Sequence, residues 1–201
     1  MKTLILTAIR CSLMFTAVAA SLFFVRPAQA YTVTLEQVGS NVVATGSGPI
    51  NLTGLTFITS VDNNPGIQAQ LGLINTGPFA TIVDLYNGAV GPATFGSGGV
   101  FSPNTASGDF VGIAGIGGLL SVPLNYVSGA ALSDSMTFNN ATFASLGVTP
   151  GTYEWTWGTG LANQNFTLVI ESVGVPDGGS TVSLLGCALL GLGALRRKLG
   201  C

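Results

Sequence analysis

Short runs of alternating apolar and polar side chains follow one another from residue 31 to residue 173. Glycine, proline, asparagine and serine separate these runs. Alternation with a period of two is typical of strands with one buried face, and helical periodicity is nearly absent here. The pattern predicts one helical turn at 141–146 and ten strands, at 31–38, 41–45, 50–58, 67–74, 79–86, 110–114, 119–127, 133–138, 152–157 and 166–173. Short strands between regular turns predict an all-β fold, an antiparallel β-sandwich or jelly roll.

The first thirty residues follow a different pattern. A basic segment precedes an apolar run at 11–25, and Pro27 ends the run. Ala28 and Ala30 then place small side chains where signal peptidase recognises its substrate. We expect 1–30 to be a signal peptide, a helix that directs the chain to the Sec machinery for export. Signal peptidase then removes it before Tyr31. The alternatives are an uncleaved anchor and a buried helix, and the length and the Ala-x-Ala ending favour the signal peptide.

A second apolar run, 181–195, lies near the C-terminus and is followed by Arg196, Arg197 and Lys198. Fifteen helical residues rise about 22 Å, and Gly179 and Ser180 can lengthen the helix towards the roughly 30 Å of a bilayer core. The run therefore predicts a single transmembrane helix whose basic cluster stops transfer on the cytoplasmic side. The alternative is a buried helix of the main domain. The predicted domains are the signal peptide 1–30, an extracytoplasmic β-sandwich 31–174 and a tail 175–201.

The tail has three parts: the segment Val175-Pro176-Asp177-Gly178-Gly179, the apolar run and the basic cluster. This arrangement resembles the PEP-CTERM sorting signal of Gram-negative bacteria, in the VPDSG-CTERM-like variant where Val-Pro-Asp takes the place of Pro-Glu-Pro. Residues 143–158 and 165–168 are also similar to the closing strand pair of proteins that carry such tails. On its own, Pro-Asp-Gly-Gly is equally typical of a linker turn.

The resemblance implies partners and a location. In that family, the membrane protease exosortase recognises the tail, and the system accompanies exopolysaccharide and biofilm production. It implies a precursor held in the inner membrane with its domain in the periplasm, followed by release or transfer to the cell surface or the extracellular space. Exopolysaccharide is then a further expected partner. Physically, Pro176 favours an extended Val175, and the two glycines keep the segment accessible to a protease.

Charge is distributed unevenly along the 201 residues, whose net charge is −2. All six basic residues and all three cysteines (Cys11, Cys187 and Cys201) lie in the two terminal segments. Residues 31–175 contain seven carboxylates and no Lys, Arg, His or Cys. This composition excludes Ser-His-Asp and Cys-His catalysis, His or Cys zinc sites and cationic phosphate clamps from that segment, and it lacks the basic footprint of a nucleic-acid-binding protein. We expect no enzyme activity, cofactor, metal, nucleic acid or structural disulfide.

Carboxylate and aromatic chemistry remain. The seven scattered acids are predicted to be solubilising charges at strand ends, although a pair of them could serve a glycosidase. Asp62-Asn63-Asn64 resembles part of a calcium loop, but Pro65 interrupts it and a turn is favoured. Tyr153, Trp155 and Trp157 share one strand face, which fits either a stacking platform for sugars or, as we favour, the core. The glycine-rich stretch 91–118 lacks a phosphate-binding motif and is predicted to form turns or a flexible loop.

Two functions therefore follow from the sequence. The first is a non-enzymatic, exosortase-sorted surface or matrix protein. The second is a carbohydrate-binding module that uses the three aromatic rings as its platform, and a two-carboxylate glycosidase is a more distant third. Exposure of the rings separates the first two functions, since a platform needs accessible ring faces.

Overall fold

The computed structural model describes residues 30–172, and these form an all-β domain with one short helix. The predicted fold class is confirmed. The predicted signal helix and transmembrane helix lie outside the described residues. The strands are β1 (Tyr31–Val38), β2 (Asn41–Pro49), β3 (Thr56–Asn63), β4 (Gly66–Gln68), β5 (Leu73–Thr76), β6 (Thr81–Asn87), β7 (Val100–Phe101), β8 (Thr105–Gly108), β9 (Val111–Ala114), β10 (Leu119–Pro123), β11 (Ala131–Phe138), β12 (Gly151–Thr156) and β13 (Asn165–Ile170).

Two sheets form the domain. Sheet A has the strand order β12-β13-β1-β2-β11-β8, and sheet B has the order β3-β6-β10-β9-β5-β4-β7. All strand pairs are antiparallel except β1 with β13, in which the first and last strands run parallel. That pair aligns Tyr31 with Phe166 and Leu35 with Ile170. The chain therefore enters sheet A beside the start of its last strand.

Alternation decides which side of each strand is buried. On β1, Tyr31, Val33 and Leu35 are fully buried, while the threonines between them are partly exposed. The same pattern repeats on β11 and β13. The inward residues of both sheets form a single apolar core, which makes the domain a β-sandwich.

The helical turn predicted at 141–146 is present as α1 (Phe143–Leu146). Thr142 caps its N-terminus, because its side chain accepts a hydrogen bond from the backbone N–H of Ser145 at 3.0 Å. The Ser145 hydroxyl oxygen in turn accepts from the backbone N–H of Thr142 at 2.8 Å, which completes a capping box. Phe143 and Leu146 anchor this turn in the core.

The bounds of most predicted strands differ from those in the structure, and turns shorten or interrupt three of the predicted segments. The segment 50–58 begins with a turn, in which the N–H of Leu55 bonds the carbonyl of Leu52, so β3 starts only at Thr56. The segment 67–74 is split into β4, a 3-10 turn (Ala69–Leu71) and β5, because Gly72 has a left-handed φ of 59°. The segment 119–127 ends at Pro123, after which Tyr126 N–H closes a turn.

The prediction for the glycine-rich stretch 91–118 was wrong in part, because this stretch contains β7 and β8 in addition to β9, which corresponds to the strand predicted at 110–114. Its glycines allow close backbone contacts. A side chain at Gly98 would collide with the carbonyl of Leu146, and the N–H of Gly98 bonds the carbonyl of Gly147 at 3.0 Å. The stretch is therefore packed against the end of α1 at this point.

No helix within residues 30–172 is long and apolar enough to span a membrane. The predicted span 181–195 lies beyond this range. The domain bounds 1–30, 31–174 and 175–201 stay predictions, although β1 begins at Tyr31, the first residue of the predicted mature chain.

Candidate functional site

The hairpin of β12 and β13 surrounds a surface hollow of about 570 Å³. Glu154, Thr156 and Asn165 line it from the strands, and the Nδ2 group of Asn165 donates to Oε1 of Glu154 at 2.7 Å. Val90 and Leu161 add exposed apolar side chains to its rim. The hollow thus combines hydrogen-bonding groups with apolar surface and contains one carboxylate.

Gln164 shapes the loop that closes this hairpin. Its side chain is buried, and its Oε1 accepts from the backbone N–H groups of Thr159 at 3.1 Å and Leu161 at 2.7 Å. Its Nε2 donates to the carbonyl of Thr53 at 2.5 Å. A single glutamine therefore satisfies three backbone groups and connects the loop to the segment after β2. The sequence did not single out this residue, since a glutamine in a polar loop has no distinctive pattern.

The aromatic residues proposed as a sugar platform face the core. Trp155 is 0% exposed and Trp157 is 5% exposed, while Tyr153 is partly buried. The indole N–H groups donate to backbone carbonyls, Trp155 to Pro92 at 3.0 Å and Trp157 to Asn51 at 2.7 Å. A stacking platform needs accessible ring faces; Trp155 offers none, and Trp157, although it lines the hollow, is only 5% exposed. The structure thus corrects the platform hypothesis and assigns both tryptophans to the core, as favoured from the sequence.

A buried carboxyl group lies between the two sheets. The Tyr31 hydroxyl donates to Oδ2 of Asp134, and Oγ1 of Thr76 lies 3.4 Å from the same hydroxyl. Asp134 is 6% exposed, and its Oδ1 is buried without a hydrogen-bond partner among residues 30–172. Burial raises the pKa of Asp134 to about 6, although the hydrogen bond from Tyr31 acts in the opposite direction. Burial also raises the pKa of Tyr31 well above its usual range.

The expectation that all seven acids lie at solvated strand ends was therefore wrong for two of them. Asp134 projects into the core from β11, and Asp84 is buried on β6. Asp84 accepts hydrogen bonds from the Ser60 hydroxyl at 2.7 Å and from the Asn125 backbone at 2.8 Å. Both side chains are acceptors inside the fold, and Asp84 holds the segment after β10 against β3.

The remaining carboxylates do not form a cluster. Residues 30–172 contain no group of three or more His, Cys, Asp or Glu side chains able to hold a metal. The segment favoured as a turn from the sequence is instead the end of β3, where Asp62 pairs with Ile82, and the chain leaves the strand at Asn64, whose N–H donates to Oδ1 of Asn63 at 2.9 Å. Two further hollows also contain one carboxylate each, Asp62 in one and Glu171 in the other. A glycosidase needs two facing carboxyl groups, and none of the three hollows provides them.

The residues predicted for the signal-peptidase site and for the sorting tail lie outside the described part of the chain, with one exception. Those outside it are Ala28 of the signal-peptidase site, the motif residues Val175, Pro176, Asp177, Gly178 and Gly179, and the basic residues Arg196, Arg197 and Lys198. Ala30 is the exception: it lies next to β1, and its carbonyl accepts from the Thr32 hydroxyl at 3.1 Å. At the other end, β13 stops at Ile170, before the predicted motif.

In a comparison with protein families, residues 174–199 match the model of the VPDSG-CTERM motif. The tail matches the VPDSG-CTERM motif. This confirms the resemblance to a PEP-CTERM-like, exosortase-sorted protein. The VPDSG-CTERM motif implies processing by an exosortase and is consistent with export across a membrane. Neither the curated proteins nor the solved structures gave a match to the chain, so the comparisons describe the tail and leave the β-domain to be interpreted from its own residues.

Proposed function

We propose that this chain is a non-enzymatic surface or extracellular-matrix protein that an exosortase processes at its tail. A signal peptide takes it through the Sec machinery, and the tail holds the precursor in the inner membrane with the β-domain in the periplasm. Exosortase then releases or transfers the domain to the cell surface or the extracellular space. There it serves as a structural or adhesive component of an exopolysaccharide or biofilm matrix.

The match of the VPDSG-CTERM motif to residues 174–199 carries this proposal. The position of the motif supports it, because β13 ends at Ile170 and the strand order of sheet A is complete before the motif begins. A cut within the motif would therefore leave every strand in the released domain. That is the arrangement expected of a sorting signal that is discarded after use.

Three observations support a role without catalysis. Residues 31–175 contain no Lys, Arg, His or Cys. Asp84 and Asp134 are engaged in hydrogen bonds inside the fold. The hollow at the β12–β13 hairpin contains Glu154 as its one carboxylate. Glycoside hydrolysis by general acid and general base catalysis needs two carboxyl groups that face each other.

The experiment measures the intact mass and the location of the protein in cells with and without the exosortase gene. With the enzyme, the surface or extracellular form should begin at Tyr31 and lack residues beyond a cut in the motif. Without it, the protein should stay in the membrane with its tail. The proposal is wrong if the tail is retained in both strains, or lost in both.

Two variants make this test specific. Pro176→Ala/Asp177→Ala alters the motif and should accumulate the unprocessed mass in cells that have exosortase. Asp62→Ala removes an exposed carboxylate from β3 instead and should be processed as the unaltered protein is. Equal processing of both variants would show that the motif is not what the enzyme reads.

A further inference from the structure

Sheet A presents an outward face made largely of hydroxyl groups. The outward position is occupied by serine or threonine at twelve places on its six strands, and the remaining places hold Glu36, Val38, Asn41, Val43, Pro49, Ala131, Glu154, Asn165 and Val169. We call these twelve the hydroxyl face: Thr32, Thr34, Thr45, Ser47, Thr105, Ser107, Ser133, Ser135, Thr137, Thr152, Thr156 and Thr167.

Strand register aligns these side chains in rows. One row crosses all six strands without a charged group, in the order Thr152, Val169, Thr34, Thr45, Ser135 and Ser107. Neighbouring strands lie about 4.8 Å apart, so this row is about 24 Å long. A second row lies about 6.7 Å along the strands from the first, in the order Glu154, Thr167, Thr32, Ser47 and Ser133. The face is therefore a regular array.

Most of the hydroxyl groups are free to bind. Three of them are engaged: the hydroxyl oxygens of Ser107 and Ser135 lie 3.3 Å apart and share a hydrogen bond, and the Thr32 hydroxyl donates to the carbonyl of Ala30. Within residues 30–172, the other nine hydroxyls form no side-chain hydrogen bond. Each hydroxyl can donate one hydrogen bond and accept two. An occupant of this face should therefore also carry both donors and acceptors at close intervals.

Charge limits the occupant further. Glu36 and Glu154 are the charged side chains at the outward positions of the six strands, Glu171 directly follows β13, and residues 31–175 contain no basic side chain. The seven carboxylates repel acidic polymers and disfavour the approach of a second copy. These carboxylates do not repel a neutral polymer. Hydroxyl groups on the polymer would match the donors and acceptors of the face.

Sheet twist distinguishes a flexible chain from a rigid lattice. Adjacent strands rotate by about 20–25° relative to each other, so six strands do not present a plane. A flexible polymer can follow the twisted rows, whereas a flat crystal face would touch only part of them. Each hydroxyl contact contributes little because water competes for it. Binding then depends on many contacts with one chain, and a free monosaccharide should compete poorly.

We propose that the hydroxyl face binds chains of a neutral polysaccharide. This inference rests on the proposed function for the place where such a polymer would be met. It needs neither the aromatic platform nor the tail, since all of its contacts come from β1, β2, β8, β11, β12 and β13.

The test is co-sedimentation of the exported protein, purified from cells, with amorphous cellulose as a neutral polymer and with alginate gel as an acidic one. The protein should be depleted by cellulose and not by alginate, and salt should change the depletion little, because no ion pairs are involved. Thr34→Val/Thr45→Val removes two adjacent hydroxyls and retains side-chain shape and strand preference. It should weaken binding about tenfold, the effect expected for the loss of two modest hydrogen bonds.

The matched control is Thr56→Val/Thr59→Val, which makes the same change on the exposed strand β3 of sheet B. It should bind cellulose as the unaltered protein does, and circular dichroism should show both variants folded. The inference is overturned by absence of binding to cellulose, by stronger binding to alginate or by equal loss in both variants. It is also overturned by a dimer that Thr34→Val/Thr45→Val disrupts, since a second copy would then occupy the face. None of these outcomes depends on exosortase, so failure here is separate from failure of the sorting experiment.

Discussion

A hydrogen bond between Tyr31 and Asp134 links β1, the first strand of the domain, to β11 across the intervening strand β2. The phenol of Tyr31, the residue that follows the predicted signal-peptidase site, donates a hydrogen bond to Oδ2 of Asp134. Gly46, on the strand between them, leaves the space in which the two side chains meet. The first residue of the predicted mature chain is thus a buried part of the fold.

This pair predicts that the domain is more stable in mild acid than at neutral pH. Burial raises the pKa of Asp134 from 3.8 to about 6, so the folded state holds this proton more tightly than the unfolded state does. The contribution is fully present below about pH 4 and is lost as the pH rises through 6. Between pH 4 and pH 8, Asp134 should lower the free energy of unfolding by about 1–3 kcal/mol. Urea unfolding of the unaltered protein and of Asp134→Asn at both pH values measures this difference.

Two further variants test the assignment to Asp134. Tyr31→Phe removes the hydrogen bond that favours the ionised carboxylate, so it should destabilise the domain more at pH 8 than at pH 4. Asp62→Asn neutralises an exposed carboxylate and should leave the pH dependence of the unaltered protein in place. The assignment fails if Asp134→Asn retains the full pH dependence.

Alternation along the chain predicts the fold class because each strand of a sandwich needs one apolar side. The bounds of β1 follow from its strict alternation, and the turn at α1 follows from its capping residues. The break at Gly72 is not predictable in the same way, since an apolar segment continues through it and the backbone turns there to reach its partner strands. The parallel pairing of β1 with β13 depends on contacts between the two ends of the domain, which local patterns do not contain.

The candidate site residues also divide into those that local sequence patterns predict and those that depend on strand register. Three aromatics at alternate positions predict one strand face, and the sequence correctly favours the core for them. The burial of Asp134 is not predictable from its neighbours, because it follows from the register that places it opposite Gly46. The rows of the hydroxyl face need the register of five strand pairs, although serine and threonine at alternate positions are visible in each strand separately.

Replacing Gly46 with alanine should destabilise the domain. The added Cβ would collide with the Tyr31 hydroxyl and the Asp134 carboxylate, and overpacking of this kind costs about 1–3 kcal/mol. Gly99→Ala is the matched control, because no atom lies within 4 Å of a Cβ built there. Thermal unfolding of the two variants should show a lower Tm for Gly46→Ala alone. Equal Tm values would mean that the phenol and the carboxylate do not meet beside Gly46.

Trp155 should matter for stability through packing. Its side chain is fully buried and packs edge-on against Phe166, with ring centres 5.8 Å apart. Trp155→Ala leaves a large cavity and should lower the free energy of unfolding by about 3–5 kcal/mol. Leu161→Ala, an exposed position on the same hairpin, should change it by less than about 0.5 kcal/mol. Chemical denaturation measures both, and a small effect of Trp155→Ala would contradict its place in the core.

Gln164 should hold the β12–β13 loop in place. Gln164→Ala leaves the backbone N–H groups of Thr159 and Leu161 and the carbonyl of Thr53 without their partner. Losing partners for partly buried groups costs about 1–3 kcal/mol, and the loop should open more often. Hydrogen exchange at Thr159 and Leu161 should therefore become faster in this variant, while Gln70→Ala, which alters an exposed glutamine, should leave it unchanged. Unchanged exchange in Gln164→Ala would mean that the loop is held by other contacts, such as the bond from Asn51 N–H to the carbonyl of Asn163.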